Sequence, residues 1–236
     1  PVEGPAAWGE GCALQQAIFR GAGRVLPSHG RFSAWLQRAG GPFFPGDDGS
    51  ANTMADMDRN NPMVIGLDVG TQSVKLVAYD PQSRQVVATI GEALELASGD
   101  DGSREQRAEW WIEAIRGCFA RLDPALRART GAIGVSGQQH GFVPVDRDGN
   151  VLAPAKLWCD TSTAAECDLI MDAIGGARGA IDLAGNPVLV GYTASRLPWT
   201  RKHRPQAYAQ LATILLPHDY VNFWLTGERW MECGDA

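Results

Sequence analysis

The sequence lacks the cysteine spacing of a metal-binding or disulfide-stapled protein. Its 236 residues include five cysteines, and none of them form a CxxC pair. An odd number of thiols cannot be paired completely within one chain, so we interpret them as reduced thiols of a cytoplasmic protein. These cysteines are Cys12, Cys118, Cys159, Cys167 and Cys233.

Long apolar runs and a surplus of basic residues are also missing. The longest apolar stretches, such as residues 212–217, are far shorter than the roughly 20 residues that span a bilayer. Lys plus Arg number 21 against 27 for Asp plus Glu, which gives a net charge of −6. This balance disfavours nucleic acids and anionic membranes as partners, so local groups must hold any anionic ligand.

The composition is that of a globular chain, with 44% hydrophobic and 20% charged residues. Residues 1–62 differ from the rest, because they are rich in scattered Gly and Pro and show no sustained hydrophobic period. We therefore predict a poorly ordered leader outside the native fold over residues 1–62. The alternative is a small packed accessory segment. The folded domain is expected over residues 63–236.

From residue 63 onward the pattern predicts an α/β domain. Segments 64–67, 74–79 and 85–90 are rich in β-formers and joined by short connections, which predicts three consecutive antiparallel strands. Residues 104–122 change to helical periodicity and predict an amphipathic helix that stops at Asp123. The later predicted elements are a strand at 132–135, a hairpin at 142–152, helices at 163–174 and 194–202, a strand at 213–216 and a helix at 220–225.

This order of elements is typical of one fold class. Three antiparallel strands followed by strand and helix alternation predict a ribonuclease-H-like domain, in which helices flank a mixed sheet.

The first chemical motif lies at residues 65–75, where an acidic residue and a glycine- and hydroxyl-bearing turn separate two strands. Gly70 lets the backbone approach a phosphate, and the hydroxyls of Thr71 and Ser73 supply donors with the turn amides. Asp68 can hold a hydrated Mg²⁺ beside the phosphates. The motif is neither a Walker loop nor a dinucleotide fingerprint. The alternative is an ordinary β-turn with a solvated aspartate.

The second motif lies at residues 134–141, directly after a short buried strand. Ligands of α/β sheets bind at the loops that follow strands. Gln138, Gln139 and His140 offer neutral donors and acceptors, which suit sugar hydroxyls, and the flanking glycines let a small ligand approach. The alternative for His140 is a purely structural histidine.

Two aspartates complete the set of candidate residues. Asp160 follows an apolar run and an aromatic residue, and capping of the next helix could alone explain it. Asp235 follows a small-residue turn near the end of the sequence and is a reasonable general base. An isolated aspartate is, however, usually solvated surface.

Taken together and in this order, these motifs resemble the FGGY family of carbohydrate kinases, and within it the xylulokinase branch. The likeness runs over residues 63–236 and includes further motifs at residues 191–194, 215–220 and 225–228. In that family, two domains of the actin and hexokinase type close over the substrates, and the sugar sits mostly on the first domain. The resemblance thus implies an actin/hexokinase-type fold for this chain.

The resemblance also implies an activity, the ATP-dependent phosphorylation of D-xylulose to D-xylulose 5-phosphate with Mg²⁺. It makes Asp235 the catalytic residue, which contacts the ketose and takes the proton from the sugar hydroxyl as that hydroxyl attacks the γ-phosphate. Gln139 and His140 correspond to the pair that binds the ketose.

The resemblance also assigns the nucleotide contacts of the family to the first motif. Gly70, Thr71, Gln72 and Ser73 correspond to the hairpin that touches the ATP phosphates, and Asp68 to the aspartate near Mg²⁺. The expected partners are therefore a ketose and ATP, without nucleic acid or membrane, and a homodimer is left open.

Two departures from the family pattern stand out. Ser162 occupies a position where many members have arginine, and the sequence ends one residue after Asp235. We therefore expect an N-terminal sugar-binding half that lacks the C-terminal ATP-binding domain and is inactive as a fragment. The alternatives are a family kinase for ribulose, rhamnulose or glycerol, and a non-catalytic ribonuclease-H-like binding module. Retention of both Asp68 and Asp235 disfavours the binding module.

Removal of residues 1–62 is expected to leave the melting temperature nearly unchanged, because these residues lack the apolar periodicity that offsets ordering entropy. Thermal unfolding of the shortened and complete chains measures the difference. A fall of more than about 4 °C, equivalent to roughly 1 kcal/mol, would show that the leader packs on the core.

Overall fold

A computed structural model describes residues 62–232, so Asp235 and all of the predicted leader except its last residue lie outside the described residues. The strands are β1 (Met63–Val69), β2 (Ser73–Asp80), β3 (Gln85–Ala93), β4 (Ala97–Ser98), β5 (Arg104–Gln106), β6 (Thr130–Gly137), β7 (Val143–Val145), β8 (Ala155–Lys156) and β9 (Thr213–Leu215). The helices are α1 (Ala108–Arg121), α2 (Pro124–Ala128), α3 (Ala164–Ala173), α4 (Gly176–Ala184), α5 (Arg196–His203), α6 (Pro205–Gln210) and α7 (Pro217–Thr226).

A mixed sheet with the strand order β3-β2-β1-β6 forms the centre of the domain. The first three strands are antiparallel neighbours, and β6 pairs parallel to β1. A parallel neighbour requires a crossover connection, and α1 provides it between β3 and β6. The predicted α/β class and mixed sheet are confirmed.

The core lies between this sheet and two helices. Every second residue of β1 is buried, which is the period-2 pattern of a strand with one face in the core. Helix α1 packs on β2 and β3, α7 packs on β6, and the two helices contact each other. The indole of Trp111 and the ring of Tyr220 meet edge to face there, with 6.3 Å between their centres.

The predicted helix over residues 104–122 is wrong at its start. Arg104–Gln106 form β5, which pairs with β4 and β8 in a second, three-stranded sheet. The Gln106 side chain is fixed by backbone carbonyls outside the helix, and Glu105 pairs with a distant arginine, Arg204. These long-range contacts hold the segment extended, so α1 begins only after Arg107.

Other differences are smaller. Asp123, predicted only as a stop signal, also caps the short helix α2, because its side chain accepts a hydrogen bond from the Ala125 N–H at 2.7 Å. The predicted hairpin is present as a bridge between Val145 and Val151, but the main partner of β7 is β9. Helices α4 and α6 have no counterpart among the predicted elements.

Cys118, Cys159 and Cys167 are free thiols, as predicted, whereas Cys12 and Cys233 lie outside the described residues. Within residues 62–232, no helix is both long and apolar enough to cross a bilayer.

Candidate active site

The two predicted ligand motifs leave the sheet side by side. In the parallel pairing of β1 and β6, Asp68 lies opposite Ser136 and Val69 lies opposite Gly137. The Gln138 N–H extends this pairing by donating to the Val69 carbonyl at 2.9 Å. The turn after β1 and the loop after β6 therefore share one edge of the sheet, where ligands of α/β folds bind.

The turn after β1 is closed by its own backbone. The Gly70 N–H donates to the Ser73 carbonyl at 3.0 Å, and a Cβ at position 70 would lie 3.3 Å from that oxygen. Asp68 is exposed just before the turn and lies across from Lys75 on β2. Within the described part of the chain, no three His, Cys, Asp or Glu side chains gather closely enough to hold a metal ion by themselves.

A chain of side-chain hydrogen bonds joins the turn to the loop. The Thr71 hydroxyl donates to Gln138 Oε1 at 3.1 Å and accepts from the Trp158 indole N–H at 3.0 Å. Gln138 Nε2 in turn donates to Gln106 Oε1 at 3.1 Å, and the Trp111 indole N–H donates to the same oxygen at 2.9 Å. We call these five residues the Gln106 network.

The amide nitrogen of Gln106 completes this network by donating to the carbonyls of Thr71 and Glu95, at 2.8 and 2.7 Å. Gln106 and Gln138 are both buried, and a buried amide is costly unless its donors and acceptors are satisfied. The network therefore fixes the Thr71 turn relative to the Gln138 loop.

A cleft of about 520 Å³ lies next to this junction and is lined by Ser136, Gly137, Gln138, Gln139, His140 and Trp158. This volume is within the usual range for small-molecule sites. The structure thus brings Gln139 and His140 together in one cavity. The amide of Gln138 is engaged in the Gln106 network, so the neighbouring Gln139, which is exposed, is better placed to meet a ligand.

The backbone around His140 is unusual. His140 has a φ of 52°, in the left-handed region that residues with a side chain rarely adopt. Its ring lies 4.5 Å from the ring of Tyr192. Gly141 packs directly against α7, because a Cβ there would lie 2.3 Å from Pro217 Cγ. Only glycine fits at this approach, which explains one of the flanking glycines in the motif.

The proposed capping role of Asp160 is wrong. Thr163 precedes α3 at the capping position, and its side chain makes no capping hydrogen bond. Asp160 is instead fully buried and accepts hydrogen bonds from Lys156 Nζ at 2.8 Å and the Ser162 hydroxyl at 2.7 Å. The Arg104 N–H also donates to it at 2.8 Å, which ties the segment after β8 to β5.

Lys156 is the cation that compensates Asp160. It is 1% exposed, lies 3.9 Å from the centre of the Trp199 ring, and also contacts Glu105 at 3.3 Å. Lys156 donates to the Ser162 hydroxyl at 2.7 Å, so Ser162 links the cation and the carboxylate. A buried ion pair is tolerated only when its remaining hydrogen bonds are satisfied, and this one meets that condition.

The pKa of Asp160 reflects two opposing causes. Burial raises it, but the hydrogen bonds from Lys156, the Arg104 N–H and Ser162 outweigh burial, so the pKa lies below the ordinary value of 3.8. The carboxylate is therefore ionised throughout the neutral range.

Two residues at the site were missed by sequence reasoning. Trp158 is 52% exposed and lines the cleft while bonding to Thr71. The only signal for it was an aromatic residue directly after an apolar strand. Nothing in the sequence indicated that Gln106 belongs to the site, because the residues that follow it, 107–121, have the pattern of an amphipathic helix.

The fold is that of an α/β domain of the actin and hexokinase type, with a cleft of small-molecule size at one edge of its sheet. Residues 63–236 match the N-terminal domain of the FGGY family of carbohydrate kinases. Because this match covers most of the chain, the chain belongs to the FGGY family of carbohydrate kinases.

Individual relatives agree with this assignment. A xylulose kinase of Haemophilus influenzae is 40% identical over 181 residues, which cover 74% of this chain and 37% of the relative. A xylulose kinase of Streptomyces coelicolor is 33% identical, with 74% of this chain and 36% of the relative covered. The chain therefore spans just over a third of the length of these curated relatives.

A solved structure supports the fold directly. The crystal structure of a xylulose kinase from Rhodospirillum rubrum superposes with a TM-score of 0.67 and 29% sequence identity. The match covers 72% of this chain and 36% of that structure. Similarity is thus confined to one part of a longer protein in the solved relative too.

Substitution Asp160→Asn is expected to destabilise the chain by about 1.5–3 kcal/mol at neutral pH, because it removes the closest carboxylate of the buried Lys156 while Glu105 stays 3.3 Å away. A lowered folded pKa stabilises the fold above the unfolded pKa of about 3.9, and this contribution is lost as pH falls through the folded pKa. The difference in the free energy of unfolding between wild type and variant should therefore become smaller below about pH 4. Urea unfolding at several pH values measures this difference.

Substitution Asp182→Asn is the matched control, because Asp182 pairs with Arg178 on the surface of α4. Exposed pairs contribute about 0–1 kcal/mol. An Asp160→Asn effect no larger than that of Asp182→Asn would contradict the stabilising role of the buried pair.

Proposed function

We propose that the protein to which this chain belongs uses ATP to phosphorylate D-xylulose to D-xylulose 5-phosphate, and that this chain supplies the sugar-binding part. The observation that carries the proposal is a cleft with Gln139 and His140 on its wall, directly beside the Gly70 turn. Neutral polar side chains suit sugar hydroxyls, and a glycine turn suits phosphates. Relatives from Haemophilus influenzae and Streptomyces coelicolor are named xylulose kinases, which supports this choice of sugar.

In this proposal, Gln139 and His140 hydrogen-bond to hydroxyls of the ketose, while the flat indole of Trp158 closes another side of the cleft. Because Trp158 also donates to Thr71, the sugar would lie beside the phosphate-binding turn. Two reactants held close in a defined geometry react far faster than free ones, and this positioning is the main task of a kinase site.

Gly70, Thr71, Gln72 and Ser73 are proposed to lie against the phosphates of ATP. The Thr71 hydroxyl is engaged with Gln138, so Thr71 would meet a phosphate through its backbone N–H. Asp68 is proposed to hold Mg²⁺, because kinase magnesium ions are bound through one or two carboxylates together with substrate phosphates. The ion would supply neutralising charge on the phosphate oxygens.

Asp235 is proposed as the general base. It would accept the proton of the ketose hydroxyl as that oxygen bonds to the γ-phosphorus, and the bond from phosphorus to the leaving ADP oxygen would break. Its position next to the cleft stays a prediction, since Asp235 lies outside the described residues. The free thiols and the use of ATP support a cytoplasmic location.

The proposal is tested with the protein at the full length that its gene encodes. Formation of ADP is measured with D-xylulose, D-ribulose, L-rhamnulose and glycerol, and kcat/KM should be highest for D-xylulose. A clear preference for another acceptor would replace xylulose by that substrate within the same family. Sugar binding without any phosphorylation would favour a non-catalytic binding module and refute the proposal.

The 236-residue chain alone is expected to bind D-xylulose weakly and not to turn over ATP. The chain contains the residues of the sugar cleft but spans only about a third of the length of its relatives. In the isolated chain, no second domain can therefore close over the cleft and exclude water from it. Calorimetry and an ADP assay measure both properties. Phosphorylation at a rate ordinary for a kinase, about 1–100 per second, would contradict this expectation.

Substitution Asp235→Asn in the full-length protein is expected to abolish turnover and leave sugar binding largely intact. Asn keeps the shape of the side chain but cannot accept the proton, and a positioned base is commonly worth about 10²–10⁴ in rate. His140→Ala should instead raise KM more than it lowers kcat, because it removes a contact shared by bound sugar and transition state. Steady-state kinetics separate the two effects.

If Asp235→Asn kept more than about a tenth of the wild-type kcat, which is far above what loss of a base allows, the base would have to be reassigned. Asp68 would then be the next residue to substitute.

A further inference from the structure

Arg196, the first residue of α5, is a fully buried cation whose hydrogen bonds go to backbone carbonyls. Its guanidinium donates to the carbonyls of His140, Leu157 and Gly191, the last at 2.7 Å. These carbonyls come from the loop after β6, the segment after β8 and the loop before α5. One side chain therefore joins segments that are far apart in the sequence.

Burial of a charged group is unfavourable in free energy, so the hydrogen bonds of Arg196 to the carbonyls must offset that cost. Burial lowers the pKa of Arg196 to about 10, while the negative charge of Asp160 opposes that change. The guanidinium thus stays protonated at neutral pH and keeps all its donors. Arginine suits this position because its planar guanidinium carries five N–H donors in a fixed geometry, whereas lysine has a single nitrogen.

Two of the carbonyls that Arg196 binds belong to a residue of the cleft wall or to its neighbour in the chain, and the third belongs to a residue in contact with the wall. His140 is itself part of the wall, and Leu157 directly precedes Trp158. Gly191 precedes Tyr192, whose ring packs on His140. Gly191 has a φ of +99°, and a Cβ there would lie 2.4 Å from the Trp158 carbonyl oxygen, so these segments are in direct contact.

We propose that Arg196 is a positioning residue for the sugar site, which holds His140 and Trp158 in place through the three carbonyls. The left-handed backbone of His140 needs such support, because an unfavourable φ persists only where surrounding contacts impose it. The proposal rests on the proposed function only for its effect on sugar binding. The effect on the geometry of His140 can be measured without any sugar.

The first test is NMR spectroscopy of the complete 236-residue chain without ligand. The ring protons of His140 are assigned among the four histidines by their loss in His140→Ala. Because the Tyr192 ring lies 4.5 Å from the His140 ring at an angle of 35°, its ring current is expected to shift these protons in the wild type. Arg196→Met should move them towards the values of a free imidazole, and Arg196→Lys should move them less. Unchanged His140 shifts in a folded Arg196→Met chain would overturn the proposal.

Arg204→Met is the matched control. Arg204 follows the last residue of α5, is partly rather than fully buried, and binds both oxygens of Glu105 at 2.8 Å. Its loss should lower stability without moving the His140 protons. If Arg204→Met shifted them as much as Arg196→Met, the effect would be general loosening and the positioning role would be refuted.

The second test uses steady-state kinetics of the full-length protein. Arg196→Met should raise the KM for the ketose about tenfold or more, with a smaller fall in kcat and an unchanged KM for ATP. A tenfold effect corresponds to about 1.4 kcal/mol, the scale of one hydrogen bond to a charged group. The ketose KM of Arg196→Lys should lie between those of Arg196→Met and the wild type. An unchanged KM for the ketose would overturn the proposal.

If Arg196→Met does not fold, Arg196→Lys and Tyr192→Leu decide. Tyr192→Leu removes the ring that packs on His140 and leaves Arg196 in place, so it should raise the ketose KM while Arg196→Lys shows a milder increase. Wild-type KM values in both variants would overturn the proposal. Should the wild-type protein phosphorylate no sugar at all, the proposed function would fail, whereas the NMR test would still decide the role of Arg196.

Discussion

The parallel pairing of β1 with β6 is the constraint on which the candidate site depends. Its register places Val69 opposite Gly137, so the Gly70 turn and the Gln139 loop leave the sheet at the same edge. A slip of one residue would turn every side chain of a strand to the other face. Ile65 and its buried neighbours on β1 would then leave the core, so apolar burial in the sheet fixes the geometry of the polar site.

The parts of the fold that sequence could predict are those with a strong local pattern. The apolar run of β1 and the apolar face of α1 are visible within a few residues, and the flanking glycines mark Gln139 and His140 as a ligand loop. The extended conformation of Arg104–Gln106 was not predictable in this way. It depends on bonds from Gln106 to Thr71 and Glu95, which lie 35 and 11 residues away along the chain.

The roles of buried charged residues are the second feature that could not be predicted from the sequence. A charged residue is by default assigned to the surface, because burial of an uncompensated charge is unfavourable. For Asp160, helix capping was therefore a sufficient explanation at the level of sequence, although the structure places Lys156 and Ser162 in direct contact with it. Arg196 belonged to an expected helix without any assigned task, since its carbonyl acceptors come from segments that only the tertiary fold brings together.

The direction of the hydrogen bonds around Gln106 has an evolutionary consequence. Its Oε1 accepts from Gln138 and Trp111, and its amide nitrogen faces two carbonyl oxygens. Glutamate has the same shape but would place an acceptor against those carbonyls, and a change at Gln138 alone would leave a donor or acceptor unmet. Thr71, Gln106 and Gln138 therefore depend on one another for their hydrogen bonds, and we expect replacements at these three positions to occur together.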